Sequence, residues 1–288
     1  DPDKFNRWVE KFREDHEGAA NAYRCLHPET EVALWNGARC RADEVCEGDT
    51  IVAWTDGRPV PGVVSAVEMQ PESPIVTITT QRGRVIKTNE PHPFLTKDGW
   101  IAAGDLEPGS LLTTGLGWGR PRFQDTLDEK EAWLLGLLVG DGCFVSSTAG
   151  VTISNQGVLA RAGAQSDLVK LPHRSNAPYD YRVRGISDLV RTQSLNGKRS
   201  YEKRVPAGVM TGGEKVVGAF FSGLVDADGH VSDPKIRSTA EVGITSTSLG
   251  LLTDVQHLLA SLGVNASVSS PPSMRVGADG GGSGHPRR

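Results

Sequence analysis

The sequence has 288 residues, of which 38% are hydrophobic and 23% charged, with a formal net charge of −4; this is the composition of a soluble globular chain long enough for two domains. No apolar run approaches the roughly 20 residues that a membrane-spanning helix needs, so no membrane is expected, and residues 1–24 are charged throughout, unlike a secretory leader. The four cysteines, Cys25, Cys40, Cys46 and Cys143, show no CxxC pair and no tight metal spacing, so a reduced, cytoplasmic setting is the expectation.

In chain order, Phe5, Trp8, Val9 and Phe12 fall at helical spacing and predict one amphipathic helix over residues 1–24. The chain opens on Asp1 rather than Met and reads as a piece of something longer. From Cys25 the texture changes to short β-rich runs: Thr30 to Trp35, Thr50 to Trp54, Gly62 to Val67, Ile75 to Thr80, Val85 to Lys87 and Trp100 to Ala102. Gly, Pro and Asp turns separate them, predicting a compact all-β domain. Residues 119–130 read as a linker in which Thr126 is placed to cap the next helix. That helix carries Leu134-Leu135-Gly136-Leu137-Leu138-Val139-Gly140-Asp141-Gly142, and its pattern recurs as Phe221-Ser222-Gly223-Leu224-Val225-Asp226-Ala227-Asp228-Gly229. After each copy come two strand-like runs (Cys143 to Ser147 and Val151 to Ser154; His230 to Asp233 and Glu241 to Ser246). A helix follows in each case, Gly157 to Asp167 or Leu249 to Leu262, so a helix–strand–strand–helix unit occurs twice. Residues 269–288 are rich in Ser, Pro and Gly and read as a disordered tail.

The small residues in each copy sit four apart, on one face of a helix, which lets two helix backbones approach closely. If the copies pack together, Asp141 and Asp228 arrive side by side at the helix ends. Adjacent carboxylates repel unless protons or cations bind between them, and hard oxygen ligands with room for water suit Mg²⁺. Such a centre can activate water and stabilise a leaving oxygen, acting on the strands of a duplex. A single run of this kind is, roughly nine times in ten, an ordinary buried helix with a polar turn after it; two copies in register in one chain reverse that weighting. Between them, residues 151–204 hold ten Lys or Arg against four acids, a local net of 10 − 4 = +6 in an acidic chain, which suits a phosphate backbone. On charge alone a solvated basic face is the leading reading. Strand pairs of this sort can lie in the major groove and read base edges.

Phe221 to Gly229 resembles the signature of the LAGLIDADG (dodecapeptide, DOD-type) homing endonucleases; in the looser first copy Val139 replaces the first Asp. A second resemblance is carried by Cys25-Leu26-His27-Pro28-Glu29-Thr30-Glu31-Val32 together with Thr88-Asn89-Glu90-Pro91-His92-Pro93. These look like the start and the Thr-x-x-His block of the Hint (horseshoe) fold of inteins, with the departure that Asn89 stands three residues before His92, where the family has Thr, and Thr88 stands four before. The resemblance, to an intein with an inserted LAGLIDADG endonuclease, covers residues 25 to about 265. It implies a multidomain chain: a host (extein) segment over 1–24, an all-β Hint splicing domain over 25–118, an α/β endonuclease domain of two pseudo-symmetric repeats over 119–268, the second incomplete, and a tail over 269–288.

The chemistry implied is an N–S acyl shift, in which the Cys25 thiol attacks the Arg24 carbonyl and His92 donates a proton to the departing amide nitrogen. Either Thr88 or Asn89 is placed to hydrogen-bond that amide. Asp141 and Asp228 would hold Mg²⁺, Lys203 would assist, and double-stranded DNA and the exteins in cis would be the partners of a monomer. Splicing itself needs no cofactor. No His-Asn dipeptide occurs in the 288 residues, and the expectation is a C-terminally truncated chain that cannot complete splicing alone. Two other readings are a DNA-binding remnant without catalysis and a hedgehog-like autoprocessing domain.

Overall fold

A computed structural model describes residues 25–69, 72–119, 125–145, 148–172, 178–232 and 240–269; the helix expected over 1–24 and all but the first residue of the tail lie outside them. The described chain divides by texture. Residues 25–118 contain strands and two single-turn 3₁₀ segments, and the α-helices begin at Glu129.

Eight strands build the first part: β1 (Glu31–Ala33), β2 (Arg39–Arg41), β3 (Thr50–Thr55), β4 (Arg58–Val63), β5 (Ile75–Thr79), β6 (Val85–Asn89), β7 (Pro93–Thr96) and β8 (Gly99–Ala102). They pair consecutively as four antiparallel two-stranded ladders, stitched by single bridges at Leu26–Thr88, Leu34–Ile51 and Thr96–Leu112. The all-β expectation holds for the described residues of this segment, as separate two-stranded ladders joined by single bridges. Strand β4 starts earlier than the sequence suggests. Asp56 and Gly57 both take positive φ, at 52° and 73°, in a two-residue hairpin turn that brings the chain straight back. Pro59 and Pro61 disguise the return as a loop, yet they pair with Trp54 and Val52. A two-stranded ladder is all edge, and proline is tolerated there.

Six helices follow: α1 (Glu129–Asp141), α2 (Gln156–Gln165), α3 (Ser187–Thr192), α4 (Ala207–Met210), α5 (Glu214–Asp228) and α6 (Leu249–Ser261). Asp128, not Thr126, caps α1: its side chain accepts from Lys130 and Glu131, and Glu131 reaches back to the Asp128 N–H. Strands β9 (Gly142–Val145), β10 (Thr148–Thr152), β11 (Asp167–Lys170) and β12 (Asp180–Arg184) form one antiparallel sheet in the order β11-β12-β10-β9. After α5, among the described residues, come β13 (Gly229–Val231) and β14 (Val242–Ile244), a two-stranded ladder. The helix–strand–strand–helix order thus occurs twice, but β11 and β12 have no counterpart after α6 among the described residues.

Helices α1 and α5 pack backbone to backbone. A Cβ on Gly136 would overlap the Phe220 carbonyl oxygen, and one on Gly223 would overlap that of Trp133. These reciprocal contacts are what the small-residue spacing predicts. Around the pair lies the apolar core, with Trp133, Leu135, Leu138, Phe220 and Leu224 fully or almost fully buried, joined by Phe144, Val151 and Val183 from the sheet and Leu251 and Leu258 from α6. The two parts of the chain also touch. Gly117 and Gly119 donate to the carbonyls of Ala260 and Ser261, and Val268 donates to that of Arg82.

Candidate functional site

Two places bring the sequence-predicted residues together. At the first, β6 runs beside the start of the β segment. His27 donates its N–H to the Lys87 carbonyl at 3.0 Å, and Thr30 donates its hydroxyl to the same carbonyl at 2.7 Å. This register lays Cys25 against Thr88 and Asn89, both buried. The N–H of Cys25 donates to Asn89 Oδ1 at 3.0 Å. The Cys25 carbonyl accepts from the Thr88 hydroxyl at 2.6 Å and from the Asn89 N–H at 3.2 Å. That N–H belongs to the Arg24–Cys25 peptide bond, whereas the carbonyl held by Thr88 belongs to the next bond along. The geometry therefore separates two residues that the sequence left interchangeable. The turn after Asn89 carries His92, whose N–H donates to the Asn89 carbonyl at 3.2 Å and whose ring meets Phe94 edge-on at 5.5 Å. Partial burial pushes the Cys25 thiol above its ordinary value.

At the second place, Asp141 and Asp228 are the last residues of α1 and α5. Gly142 and Gly229 cap the two helices with the same backbone angles, φ −79° and ψ 149°. A Cβ at either would overlap the carbonyl of Leu138 or Val225 one turn back, so glycine is required there by space rather than by handedness. Gly140 faces Ala227 and the Asp228 carboxylate, which leaves the two helix ends in contact. Burial raises the pKa of both carboxyls; the charge of Asp228 raises Asp141 further, and Lys203 works in the opposite direction on each.

Lys203 is 4% exposed. Its ammonium donates to the carbonyls of Val139 (2.8 Å), Gly140 (3.0 Å) and Gly142 (2.8 Å), with Leu138 at 3.4 Å. It caps the carbonyl end of α1, where the helix dipole favours a cation. Burial lowers its pKa, while the charges of Asp228 and Asp141 work against that shift. Its donors are thus committed to the backbone that positions Asp141, and the carboxylates feel it as a field.

The basic segment divides in the same way. Arg161 lies over the Trp133 ring at 4.4 Å and donates to Ser222 (2.9 Å) and Asp226 (3.2 Å), while Trp133 Nε1 also donates to Asp226 at 2.8 Å. Arg204 is bound to Asp254 and Lys203 is buried, so these three cations are structural. Arg182 and Arg184 remain exposed on the face of the four-stranded sheet opposite Val183 and the core. The Asp226 clamp is legible in sequence only as one letter of the second motif, its counterpart in the first being the buried Val139. Asp254, inside α6, carries no sequence signal.

No group of three or more His, Cys, Asp or Glu side chains that could hold a metal occurs among the described residues. A pair of mutually repelling carboxylates, Asp141 exposed and Asp228 partly buried, still fits Mg²⁺, which binds through one or two carboxylates and otherwise keeps water or takes substrate phosphate.

The two places are thus an apposed helix pair ending in two carboxylates and a cysteine whose amide N–H is held by a side chain. Residues 215–277 match the family model of the LAGLIDADG-like domain, and the resemblance to inteins carrying a LAGLIDADG domain stands. The chain is 28% identical over 274 residues to the replicative DNA helicase DnaB of Rhodothermus marinus, covering 85% of this chain and 28% of that protein. It is 25% identical over 225 residues to the RecA protein of Mycobacterium tuberculosis, covering 67% of this chain and 26% of that one. It thus spans about a quarter of the length of these curated relatives. Among solved structures, the G-1F mutant of the Ssp DnaB mini-intein variant M86 is similar over 37% of this chain and 66% of its own, at 22% identity and a TM-score of 0.30. Among the described residues no helix is long and apolar enough to cross a membrane.

Proposed function

We propose that residues 25–118 form a Hint splicing domain that performs an N–S acyl shift at the Arg24–Cys25 bond, following a host segment at 1–24. Residues 119–268 form a Mg²⁺-dependent endonuclease domain that cuts double-stranded DNA. The observation that carries the first half is the hydrogen bond from the Cys25 N–H to Asn89 Oδ1 at 3.0 Å. It fixes the plane of the bond to be broken while leaving the thiol to act. Cys25 Sγ attacks the Arg24 carbonyl carbon; a C–S bond forms, the C–N bond breaks, and the proton lost by the thiol is matched by one delivered to the departing amine. His92 is assigned that delivery, because an imidazole exchanges protons near neutral pH. Asn89 is the residue on the scissile amide, and Thr88 holds the next carbonyl so that Cys25 cannot turn.

For the second half, Asp141 and Asp228 are the side chains that would hold Mg²⁺. Bound there, the ion would activate water and stabilise the leaving oxygen. Lys203 keeps the end of α1 in place beneath Asp141. The exposed Arg182 and Arg184 would face phosphates or base edges of a duplex.

Intact mass after treatment with dithiothreitol tests the first half: release of residues 1–24 from the native chain, none from Cys25→Ala, and reduced release from Asn89→Ala are expected. Equal release from all three would reject the assignment. Nicking of duplex DNA in Mg²⁺, lost in Asp141→Asn/Asp228→Asn, tests the second. One observation favours a DNA-binding remnant instead: among the described residues the strand pair after α5 stands alone where the first unit has four strands. That reading requires the double variant to behave toward DNA as the native chain does.

A further inference from the structure

The β5–β6 hairpin carries the cysteine cradle at one end and rests on the helical part at the other. Its register runs from Ile75–Asn89 at the cradle to Thr79–Val85 at the tip, and a turn over residues 80–84 closes it. That turn meets Gln256 of α6, which is 5% exposed. Gln256 Nε2, with two hydrogens to give, donates to the Arg82 carbonyl at 2.8 Å and to the Ala266 carbonyl at 3.0 Å. The Arg82 carbonyl also accepts from the Val268 N–H at 3.0 Å, and Arg82 Nη1 donates to the Asn265 carbonyl and the Ser267 hydroxyl, each at 3.0 Å. One buried amide thus ties together α6, the hairpin turn and the segment that follows α6. The geometry points to a role for Gln256 that rests on the acyl shift proposed above: it is a positioning residue for Cys25, fixing the line along which β6 presents Asn89 to the Arg24–Cys25 amide.

A buried amide is costly unless its hydrogens find acceptors, so apolar residues are the ordinary occupants of such a helix position, as Leu251, Val255 and Leu258 are on the core side of α6. Here both hydrogens go to backbone carbonyls outside the helix, one of them on the hairpin. The hairpin needs the support, because a lone two-stranded ribbon is marginal in water. From Arg82 to Asn89 is roughly 23 Å of strand, so a tilt of about 3° at the turn moves the cradle end by about 1 Å. A misplacement of about 1 Å at a reacting bond costs up to about a hundredfold in rate. The same helix reaches the other chemical place. Asp254, two residues before Gln256, binds Arg204, the neighbour of the Lys203 that caps α1 beneath Asp141. Gln256 itself lies in the stretch that matches the LAGLIDADG-like model, so a residue of one module serves the reaction of the other.

The test is the time course of release of residues 1–24 from the full chain, followed by intact mass against dithiothreitol concentration, for the native chain and Gln256→Leu. Thiol traps the thioester, so the rate rises to a plateau set by the forward shift, with a half-saturating concentration set by the reverse one. A displaced amide slows both directions alike. Gln256→Leu is therefore expected to lower the plateau and the half-saturating concentration together, by about tenfold, with the final yield unchanged. An unchanged plateau, or a fall in the plateau or the yield alone, overturns the proposal. Hydrogen exchange gives a second readout: the amides of residues 85–89 should exchange faster in Gln256→Leu, and those of 129–141 as in the native chain. Unchanged exchange over 85–89 rejects the seating of the hairpin. A native chain that releases nothing refutes the acyl shift itself, and exchange over 85–89 then decides the positioning role on its own. Should Gln256→Leu fail to fold, Arg82→Ala removes two guanidinium bonds from an exposed side chain. It is expected to lower both kinetic quantities about threefold, and native kinetics in it reject the proposal.

Discussion

The two parts of the chain are held together by different forces. The contiguous apolar core runs from Leu127 to Leu258, entirely within the helical part. In the β segment the buried side chains include Thr30, Thr88, Asn89 and Thr96, which are fixed by hydrogen bonds, and only a few apolar ones such as Ala102 and Ala103. A two-stranded ladder is marginal by itself, so the ladders depend on the bridges between them and, at Gly37, Arg39 and Arg82, on α6. The lesson is one of mechanical order: the helical part can be rigid alone, while the Cys25 cradle inherits its rigidity from polar bonds and from its neighbour.

Substitutions at five positions would break or sharpen that comparison, from the largest effect down. Gly136→Val or Gly223→Val should unfold the helical part, because the added atoms overlap a partner helix's backbone and no rotamer relieves that; circular dichroism should show lost helix. Survival of native helix content would mean that the helix pair is not the organising contact.

Asp254→Ala comes next. Burial alone would raise this carboxyl, but the hydrogen bonds and charges of Arg204 and Arg39 outweigh it and hold its pKa low. Losing it strands two guanidiniums at the seam and should cost about 3–5 kcal/mol in denaturant unfolding. The native contribution is present above the ordinary carboxylate range and is lost as pH falls through the lowered value, so the gap between native and variant should close only in strong acid. A purely local effect on α6, with the β segment melting unchanged, would deny the dependence claimed for the ladders.

Lys203→Met leaves the end of α1 without its cation and should cost about 2 kcal/mol, seen as a lower melting midpoint. Its signature is a loss of Mg²⁺-dependent nicking that Lys203→Arg does not restore, since a planar fork cannot reproduce a compact carbonyl cap. The smallest effect has the opposite sign. Asp141→Asn should raise the melting temperature slightly at neutral pH while abolishing cleavage. A carboxyl whose folded pKa lies above its unfolded one loses stability as pH rises from the ordinary carboxylate value toward the raised one, so the gain should vanish below about pH 4. A drop in stability at neutral pH would show that Lys203 outweighs burial there.

Much of this was legible in the sequence. Small residues four apart, ended by Asp-Gly, specify two helices that pack closely and bring two carboxylates together, because helix period and the space available to a Cβ are local properties. The alternating runs after Cys25 specify strands for the same reason, although Pro59 and Pro61 hid β4. Three things were decided only in the tertiary structure. Asn89, rather than Thr88, meets the Arg24–Cys25 amide because the register between β6 and Cys25 sets which side chain faces which atom. Lys203 is a helix cap because the chain returns beneath α1 from more than sixty residues away. Asp254 and Asp226 gained partners from other elements, Asp254 from β2 and Arg204, Asp226 from α1 and α2. Periodicity records what a residue does within its own element; which charge meets which across elements is a matter of distance in space, and that no local pattern encodes.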